Sequence, residues 1–190
     1  MKQCHSQTLP LSRALILLLT LTACSGLPLK QAPVFPPLAP ATLGAPRSAL
    51  QLLHGALGDR ELAFQCVVEA TPLQLTLVGL GAQGQRWFSL RHDNASLVVE
   101  TSPLAPAALD PRRVLADLQL LLWPLAALQT AFAGTDWRVS EPVTATRRLW
   151  RDGRLVAEVH YAGTDPWRGR AWLSNFESGY SLAVESQPLP

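Results

Sequence analysis

The sequence has little charge and no long apolar run, and each shortage argues against a class of protein. Only 16% of its 190 residues are charged and the net charge is +2, whereas binding to nucleic-acid phosphates requires many clustered Lys and Arg side chains. The most apolar stretch runs from Ala14 to Ala23, about half of the roughly 20 residues that a membrane-spanning helix needs. We therefore expect neither a nucleic-acid-binding protein nor an integral membrane protein.

The sequence also lacks the common signatures of catalytic and metal sites. It contains no hydrolase nucleophile elbow, Walker loop, dinucleotide fingerprint or zinc-type spacing of Cys and His. Beyond the first 23 residues the histidines are His54, His92 and His160. They lie far apart in sequence, so that no spacing supports a metal site. A pair of carboxylates placed for glycoside hydrolysis can be tested only with coordinates. A periplasmic hydrolase is disfavoured because the sequence shows no arrangement of residues typical of a catalytic nucleophile and its base. These absences favour a protein that is not an enzyme and that binds no cofactor and no metal.

The first 23 residues have the three parts of an export signal, namely a basic opening, an apolar run and small residues before a cleavage site. Cleavage there removes the basic residues Lys2 and Arg13 and no acidic residue. The 16 basic residues therefore become 14, which equal the 14 acidic residues, and the mature chain has no net charge. Cysteine is equally scarce, because Cys4 is lost with the signal and only Cys24 and Cys66 stay.

The residues at the cleavage site, Leu21-Thr22-Ala23-Cys24, resemble the lipobox of bacterial lipoproteins. The resemblance implies a diacylglycerol on the Cys24 sulfur, cleavage before Cys24, and an acyl chain such as palmitate on the new amino group. Two or more acyl chains anchor a protein stably, whereas a single chain does so only marginally. Because Ser25 and Gly26 follow the cysteine, instead of the Asp that commonly retains lipoproteins in the inner membrane, the implied location is the periplasmic face of the outer membrane.

With Cys24 modified, Cys66 has no partner for an intramolecular disulfide. It lies in the alternating run from Leu62 to Val68, where a buried thiol packs as a small apolar side chain. No His or cationic residue is near it in sequence to lower its pKa. We therefore expect a buried and unreactive cysteine.

Residues 24–46 contain six prolines and few charged residues. Such a segment does not form regular hydrogen-bonded structure and favours an extended polyproline geometry of ~3.1 Å per residue. We therefore divide the chain into a signal peptide at residues 1–23, a lipidated Cys24 with a Pro-rich tether at residues 24–46, and a folded domain at residues 47–190.

Within the domain, short runs of alternating apolar and polar residues separated by turn signals predict ten strands. The predicted strands are Ala49–Ala56, Glu61–Glu69, Leu73–Leu80, Arg86–His92, Ser96–Thr101, Trp137–Val139, Ala145–Trp150, Leu155–Tyr161, Arg170–Phe176 and Tyr180–Ser186. A ten-stranded sheet has to curl to avoid long open edges. The predicted fold class is therefore mainly β with an α insertion, a single curved antiparallel sheet with helices on one face or across its mouth.

The α insertion is predicted between the fifth and sixth strands, where the apolar period changes to that of a helix. Asp110 and Pro111 suit the N-cap and the first position of a helix, and Pro124 ends or kinks it. A second short helix is predicted from Leu125 to Phe132. We expect Asp117 on the polar side of the first helix.

The first helix carries more apolar surface than it needs to cover one face of a sheet, because residues 118–125 are apolar nearly all round. A well-filled core and a cavity for acyl chains both explain this surplus, and the sequence leaves both open. A cavity is expected between the helix and the sheet. The sequence leaves open which face of each strand points into it, because a register slip of one residue reverses the two faces. Its candidate lining residues are Leu118, Leu122 and Trp123 from the helix and Phe64, Leu75, Leu77 and Phe88 from the strands.

The order of elements resembles the LolA/LolB lipoprotein-carrier fold, an incomplete antiparallel barrel. Residues 75–81 resemble the strand and loop of that family that carry an exposed leucine ahead of a glycine, and residues 121–125 resemble its helix with a tryptophan over the cavity. Residues 158–161 and 173–184 resemble its late strands. The resemblance implies a half-barrel whose concave apolar face is covered by helices, with Leu80 as a membrane-contact loop residue. A buried turn leucine is the alternative role of Leu80.

The chain is also similar to a group of small bacterial lipoproteins that are often encoded beside aryl polyene or fatty-acid-type biosynthesis enzymes. That group shares the lipobox, the Pro-rich tether and the helix placed between strands. Together the resemblances imply an outer-membrane lipoprotein that binds an acyl or polyene lipid, or the acyl chain of a lipoprotein, and assists its transfer to the outer membrane. The implied partners are the acylated ligand, the membrane and a periplasmic carrier protein. The alternative is a structural or assembly lipoprotein that binds another envelope protein without a lipid ligand.

Overall fold

The computed structural model describes residues 34–57 and 59–190. Its helices are α1 (Pro111–Leu122) and α2 (Leu125–Phe132), and a short 3-10 helix spans Pro40–Leu43. Its strands are β1 (Arg47–Leu57), β2 (Arg60–Ala70), β3 (Gln74–Leu80), β4 (Arg86–Asp93), β5 (Leu97–Thr101), β6 (Trp137–Val143), β7 (Thr146–Arg151), β8 (Arg154–Tyr161), β9 (Gly169–Asn175) and β10 (Tyr180–Pro188). Each predicted strand and helix is present, with ends within about two residues of the prediction except at the end of β6, which continues past Val139 to Val143.

The ten strands form a single antiparallel sheet in the order β5-β4-β3-β2-β1-β10-β9-β8-β7-β6. The chain enters the sheet at its centre with β1 and proceeds outward, one hairpin after another, to the edge strand β5. The insertion of α1 and α2 then crosses to the opposite edge, from which β6 to β10 return to the centre. The predicted fold class, a single antiparallel sheet with a helical insertion, is confirmed.

Contacts of α1 with both halves of the sheet show that the sheet is curved. Tyr180 on β10 donates a hydrogen bond to Asp117 in α1 at 2.5 Å, and Tyr161 on β8 donates one to the Leu121 carbonyl at 2.9 Å. The same helix packs against β4 and β5 on the other half. A single helix reaches strands so far apart in the order only if the sheet curls around it. Helix α1 therefore lies on the concave face.

The ends of α1 follow the signals in the sequence. The Asp110 carboxylate accepts a hydrogen bond from the backbone N–H of Arg112 at 2.9 Å, and Pro111 occupies the first turn, an arrangement typical of a capped helix. Trp123 is extended, with a ψ of 147°, because a residue that precedes a proline avoids helical backbone angles. Trp123 therefore lies at the corner between the two helices.

The inner side of the sheet and α1 contribute to one continuous apolar core. Strand β2 illustrates the alternation, since Phe64, Cys66 and Val68 are buried while the residues between them are less so. Burial raises the pKa of the Cys66 thiol to about 12, so that the reactive thiolate does not form at neutral pH. The predicted burial of this cysteine is confirmed.

Residues 34–46, here called the N-terminal segment, differ from the prediction of an extended tether. Phe35 and Leu38 are only 4% and 3% exposed and belong to the apolar core. The ring centroid of Phe35 lies 5.0 Å from that of Phe132 in α2 and 5.9 Å from that of Trp137 in β6. The prolines keep the segment out of the sheet, but the apolar side chains between them are buried, which stabilises its docking. The predicted signal peptide and Cys24 lie outside the described residues.

The hairpin between β3 and β4 contains a close contact that depends on glycine. The register of the two strands shifts between Gly79 and Leu80, and the neighbours Trp87 and Phe88 on β4 are both buried. A Cβ atom on Gly79 would lie 2.0 Å from Cε1 of Phe88. Because the Phe88 ring is enclosed by the core, it has no space to move away.

Gly79→Ala is therefore expected to destabilise the fold by about 1–3 kcal/mol, the usual cost of overpacking a core, measured as the free energy of unfolding in urea. Gly163→Ala is the matched control, because a Cβ atom there meets nothing within 4 Å and its backbone φ is not positive. Equal stability of the two variants would contradict the prediction.

Candidate functional site

The structure brings the seven predicted cavity residues together on the inner side of the sheet. Leu118, Leu122 and Trp123 come from α1 and its C-terminal end, and each is at most 3% exposed. The other four come from neighbouring strands and are at most 6% exposed, namely Phe64 on β2, Leu75 and Leu77 on β3, and Phe88 on β4. The four strand residues therefore lie on the inner face, and all seven residues belong to the same core.

A cleft of about 790 Å³ opens at the end of α1, beside Trp123. Of the seven predicted residues, Leu122 and Trp123 line it, whereas the other five pack deeper in the core. Its apolar walls include Leu43, Leu125 and Trp167, and its charged lining residues are Arg47, Glu141, Arg147 and Asp165. The cleft thus joins an apolar wall that is continuous with the core to a polar rim.

The buried side chain of Arg147 lines this cleft at the C-terminal end of α1. Its Nη1 donates hydrogen bonds to the carbonyl oxygens of Leu120 and Trp123 at 2.6 and 2.8 Å, while Nε and Nη2 donate to Glu141 at 2.9 and 2.7 Å. Carbonyls in the last turn of a helix have no partner within the helix, and the partial negative charge there attracts a cation. Arg147 therefore holds the C-terminal end of α1 against β7.

Sequence reasoning did not single out Arg147, although a signal was present. Arg147 and Leu149 alternate on β7 and both are buried, so that a charged residue stands in the inward phase of a strand. Such a residue is almost never buried without a partner. The partner, however, is a helix end that follows from the fold and not from the strand pattern.

Tyr161 adds a second contact between the sheet and the end of α1. Its hydroxyl donates to the Leu121 carbonyl at 2.9 Å, and the Arg147 guanidinium lies 5.6 Å from the centre of its ring. Burial raises the pKa of the Tyr161 hydroxyl to about 12. It therefore keeps its proton, and remains a donor, at any physiological pH.

The prediction that Asp117 lies on the polar side of α1 is wrong, because this residue is only 7% exposed. Tyr180 donates to its carboxylate at 2.5 Å, and Asn175 Nδ2 donates to the Tyr180 oxygen at 3.3 Å. Burial is the main cause that raises the pKa of Asp117 to about 7, while the hydrogen bond from Tyr180 and the charge of Arg113 oppose the shift. The prediction failed because a helix enclosed by the sheet and the N-terminal segment has almost no polar side.

Gln119, also in α1 and fully buried, holds the N-terminal segment. Its Oε1 accepts a hydrogen bond from the backbone N–H of Leu38, and its Nε2 donates to the Leu38 carbonyl, each at 2.9 Å. Nε2 of His92 lies 3.1 Å from the same carbonyl. The indole N–H of Trp123 donates to Thr42 Oγ1 at 2.9 Å. The tryptophan that was expected over the cavity is therefore covered by the N-terminal segment.

The remaining sequence candidates lie outside this region. Leu80 ends β3 half-buried, followed by Gly81, whose N–H donates to the Gln85 carbonyl at 2.9 Å in the hairpin loop. Among the described residues, no three His, Cys, Asp or Glu side chains lie close enough to hold a metal ion. No helix in the described part of the chain is long and apolar enough to cross a membrane.

A model of the family described as a protein of unknown function, DUF3261, matches residues 48–188. The chain belongs to this family. The DUF3261 match spans the sheet and its helical insertion, and the N-terminal segment precedes it. A crystal structure of a LolA superfamily protein from Nitrosomonas europaea is similar at 11% identity, with 79% of this chain and 91% of that chain covered and a TM-score of 0.45. No curated protein matches the chain.

The raised pKa of Asp117 predicts a pH dependence of stability in this DUF3261 domain. The folded state binds the proton of Asp117 with a pKa of about 7 instead of the ordinary 3.8. The stabilisation is therefore complete below pH ~4 and is lost as the pH rises to ~7, with a slope of at most ~1.4 kcal/mol per pH unit. Asp117→Asn should remove this part of the slope.

Urea unfolding between pH 4 and 8 measures the difference between Asp117→Asn and the unsubstituted chain. Asp59→Asn, at an exposed position, is the control and should follow the unsubstituted chain. If the free energy of unfolding depends on pH in the same way for Asp117→Asn and the unsubstituted chain, Asp117 does not titrate in this range.

Proposed function

We propose that the protein is a non-enzymatic carrier that binds an acyl or polyene chain at the cleft beside Trp123. The observation that carries the proposal is the cleft itself, whose volume of about 790 Å³ lies within the range of roughly 300–1,000 Å³ typical of small-molecule sites. Its wall of Leu122, Trp123 and Leu125 is continuous with the core. An alkyl chain that enters there exchanges water for apolar side chains, at ~25 cal/mol per Å² buried.

The polar rim of the cleft suits the head group of such a ligand. Arg47 and Asp165 are exposed there, so that both signs of charge are available to a polar group at the cleft mouth. Arg147, by contrast, already has carbonyl and carboxylate partners, and its role is to hold the helix. A carrier has to release its ligand, and an open cleft of this kind permits exit without unfolding.

The proposed location is the periplasmic face of the outer membrane, with the chain anchored by acyl groups on Cys24. Support comes from the lipobox resemblance at residues 21–24. The ligand then is an envelope lipid or the acyl chain of another lipoprotein, delivered by a periplasmic carrier protein and passed to the membrane.

The anchor is tested with Cys24→Ser. The variant should leave the membrane fraction and lose the mass of its acyl chains, because nothing else at the lipobox accepts them. Cys4→Ser, which alters a residue of the predicted signal, should stay in the membrane fraction with full acylation. Membrane fractionation and intact mass spectrometry report both properties. An unacylated Cys24 in the unsubstituted chain would refute the proposed anchor.

A second candidate function is a structural or assembly lipoprotein that binds another envelope protein. The filled packing of Phe64, Leu75, Leu77, Phe88 and Leu118 in the core favours it. The exposed aromatic rings of Trp172 and Phe176 would then belong to the contact surface.

Leu122→Glu separates the two functions. In a carrier, the cleft that Leu122 lines limits the loss of stability caused by the new carboxylate, while binding of a fluorescent long-chain fatty acid is lost. In a filled core, the uncompensated charge should unfold the domain. Leu104→Glu, at a side chain that is 71% exposed, is the matched control and should change neither. Fatty-acid titration and urea unfolding are measured on the same samples, and unchanged fatty-acid binding in folded Leu122→Glu would count against this site.

A further inference from the structure

The N-terminal segment is held by side chains and not by strand pairing. It contributes no strand to the sheet. Its backbone is fixed at Leu38, whose N–H donates to Gln119 Oε1 and whose carbonyl accepts from Gln119 Nε2, each at 2.9 Å, with His92 Nε2 at 3.1 Å from the same carbonyl. A further hydrogen bond joins Thr42 Oγ1 to the Trp123 indole N–H. Such contacts break one by one without disturbing the sheet or either helix.

The segment places apolar side chains along the concave face. Phe35 and Leu38 belong to the same core as Leu118 and Leu122, and Phe35 packs edge-on against Phe132. The fit is incomplete, because a cavity of about 180 Å³ stays open beside the segment, lined by Phe35, Leu97 and Leu115 among others. The space on the concave face that Phe35 and Leu38 occupy is here called the groove. It is therefore wider than the segment that fills it.

The groove and the cleft are adjacent. Leu43 and Ala45 of the segment form one wall of the 790 Å³ cleft, and Trp123 lines the cleft while its indole N–H is bound to Thr42. Removal of the segment would open the cleft into the groove where Leu38 and Phe35 now lie. An acyl chain that starts in the cleft would then have a largely apolar path, which also passes the Gln119 amide and the His92 ring that now contact Leu38.

We infer that the N-terminal segment is an internal occupant of the acyl site and that ligand binding displaces it. The inference rests on the proposed function and adds a mechanism of regulation to it. When the segment fills the groove, the apparent affinity for the acyl ligand equals the intrinsic affinity multiplied by the fraction of molecules whose groove is empty. The lower affinity favours release of the ligand. Displacement also frees residues 34–46, which extend over roughly 40 Å at ~3.1 Å per residue. A loaded domain would reach further from its proposed anchor than an empty one.

The test compares two double variants of the full chain that carries Cys24→Ser, which removes the expected acyl groups. Phe35→Ala with Leu38→Ala weakens the docking of the segment and leaves the groove walls intact. Phe176→Ala with Leu104→Ala makes the same chemical changes at side chains that are 55% and 71% exposed. The first should bind a fluorescent long-chain fatty acid about tenfold or more tightly than the parent, and the second should bind as the parent does.

A second measurement is hydrogen exchange of the Leu38 amide in the parent chain, whose N-terminal segment is unsubstituted. If the Phe35→Ala, Leu38→Ala variant does not fold, this measurement alone tests the inference. Saturation with the fatty acid should accelerate that exchange, because the Gln119 contact is lost. Binding of equal or lower affinity in the variant, with an unchanged Leu38 amide, would overturn the inference and leave the proposed function standing. Absence of fatty-acid binding in every chain, the parent included, would overturn the proposed function and with it this inference.

Discussion

Helix α1 has the sheet on one side and the N-terminal segment on the other, and this enclosure decides where polar groups can lie. A helix surrounded by protein has to satisfy its polar side chains and its terminal carbonyls without bulk water. Asp117 does so through Tyr180, Gln119 through the backbone of Leu38, and the last turn through Arg147. These partners come from β10, the N-terminal segment and β7, so that three separate parts of the chain fix the position of one helix.

Polar contacts of this kind suit the proposed carrier, which would take up and release an apolar molecule. Apolar packing contributes most of the free energy of folding but has little directional preference, whereas a few hydrogen bonds define one arrangement. When such a contact opens to water, the groups find new partners, and the net loss is only ~0.5–1.5 kcal/mol for a typical hydrogen bond. A group left against an acyl chain without a partner costs ~1–3 kcal/mol. The Gln119 amide can therefore hold Leu38 in place without making that arrangement permanent.

Alternation along the strands was enough to predict the sheet. It named Phe64 and Phe88 as candidates for the inner face but left the phase of each strand open, because a shift by one residue reverses the buried face. The buried polar residues could not be found in this way. Asp117 is 63 residues from its partner Tyr180, and a local pattern contains no information on a contact at that separation. The docking of Phe35 was missed for a related reason, since proline content predicts the absence of strands and says nothing about burial.

The pairing of β1 with β10 determines how the sheet can assemble. These strands lie at its centre, and Gln51 there donates a hydrogen bond to Ser186, which is 135 residues away. Contacts of such separation close a long loop and are therefore slow to form. The five-stranded meanders β1–β5 and β6–β10 can each form from local hairpins, but each exposes an unpaired inner edge until the last strand has arrived. A nascent chain is consequently most prone to aggregate while β10 is still missing. Removal of β10 would divide the sheet between β1 and β9, at its centre, and would not merely shorten it at an edge.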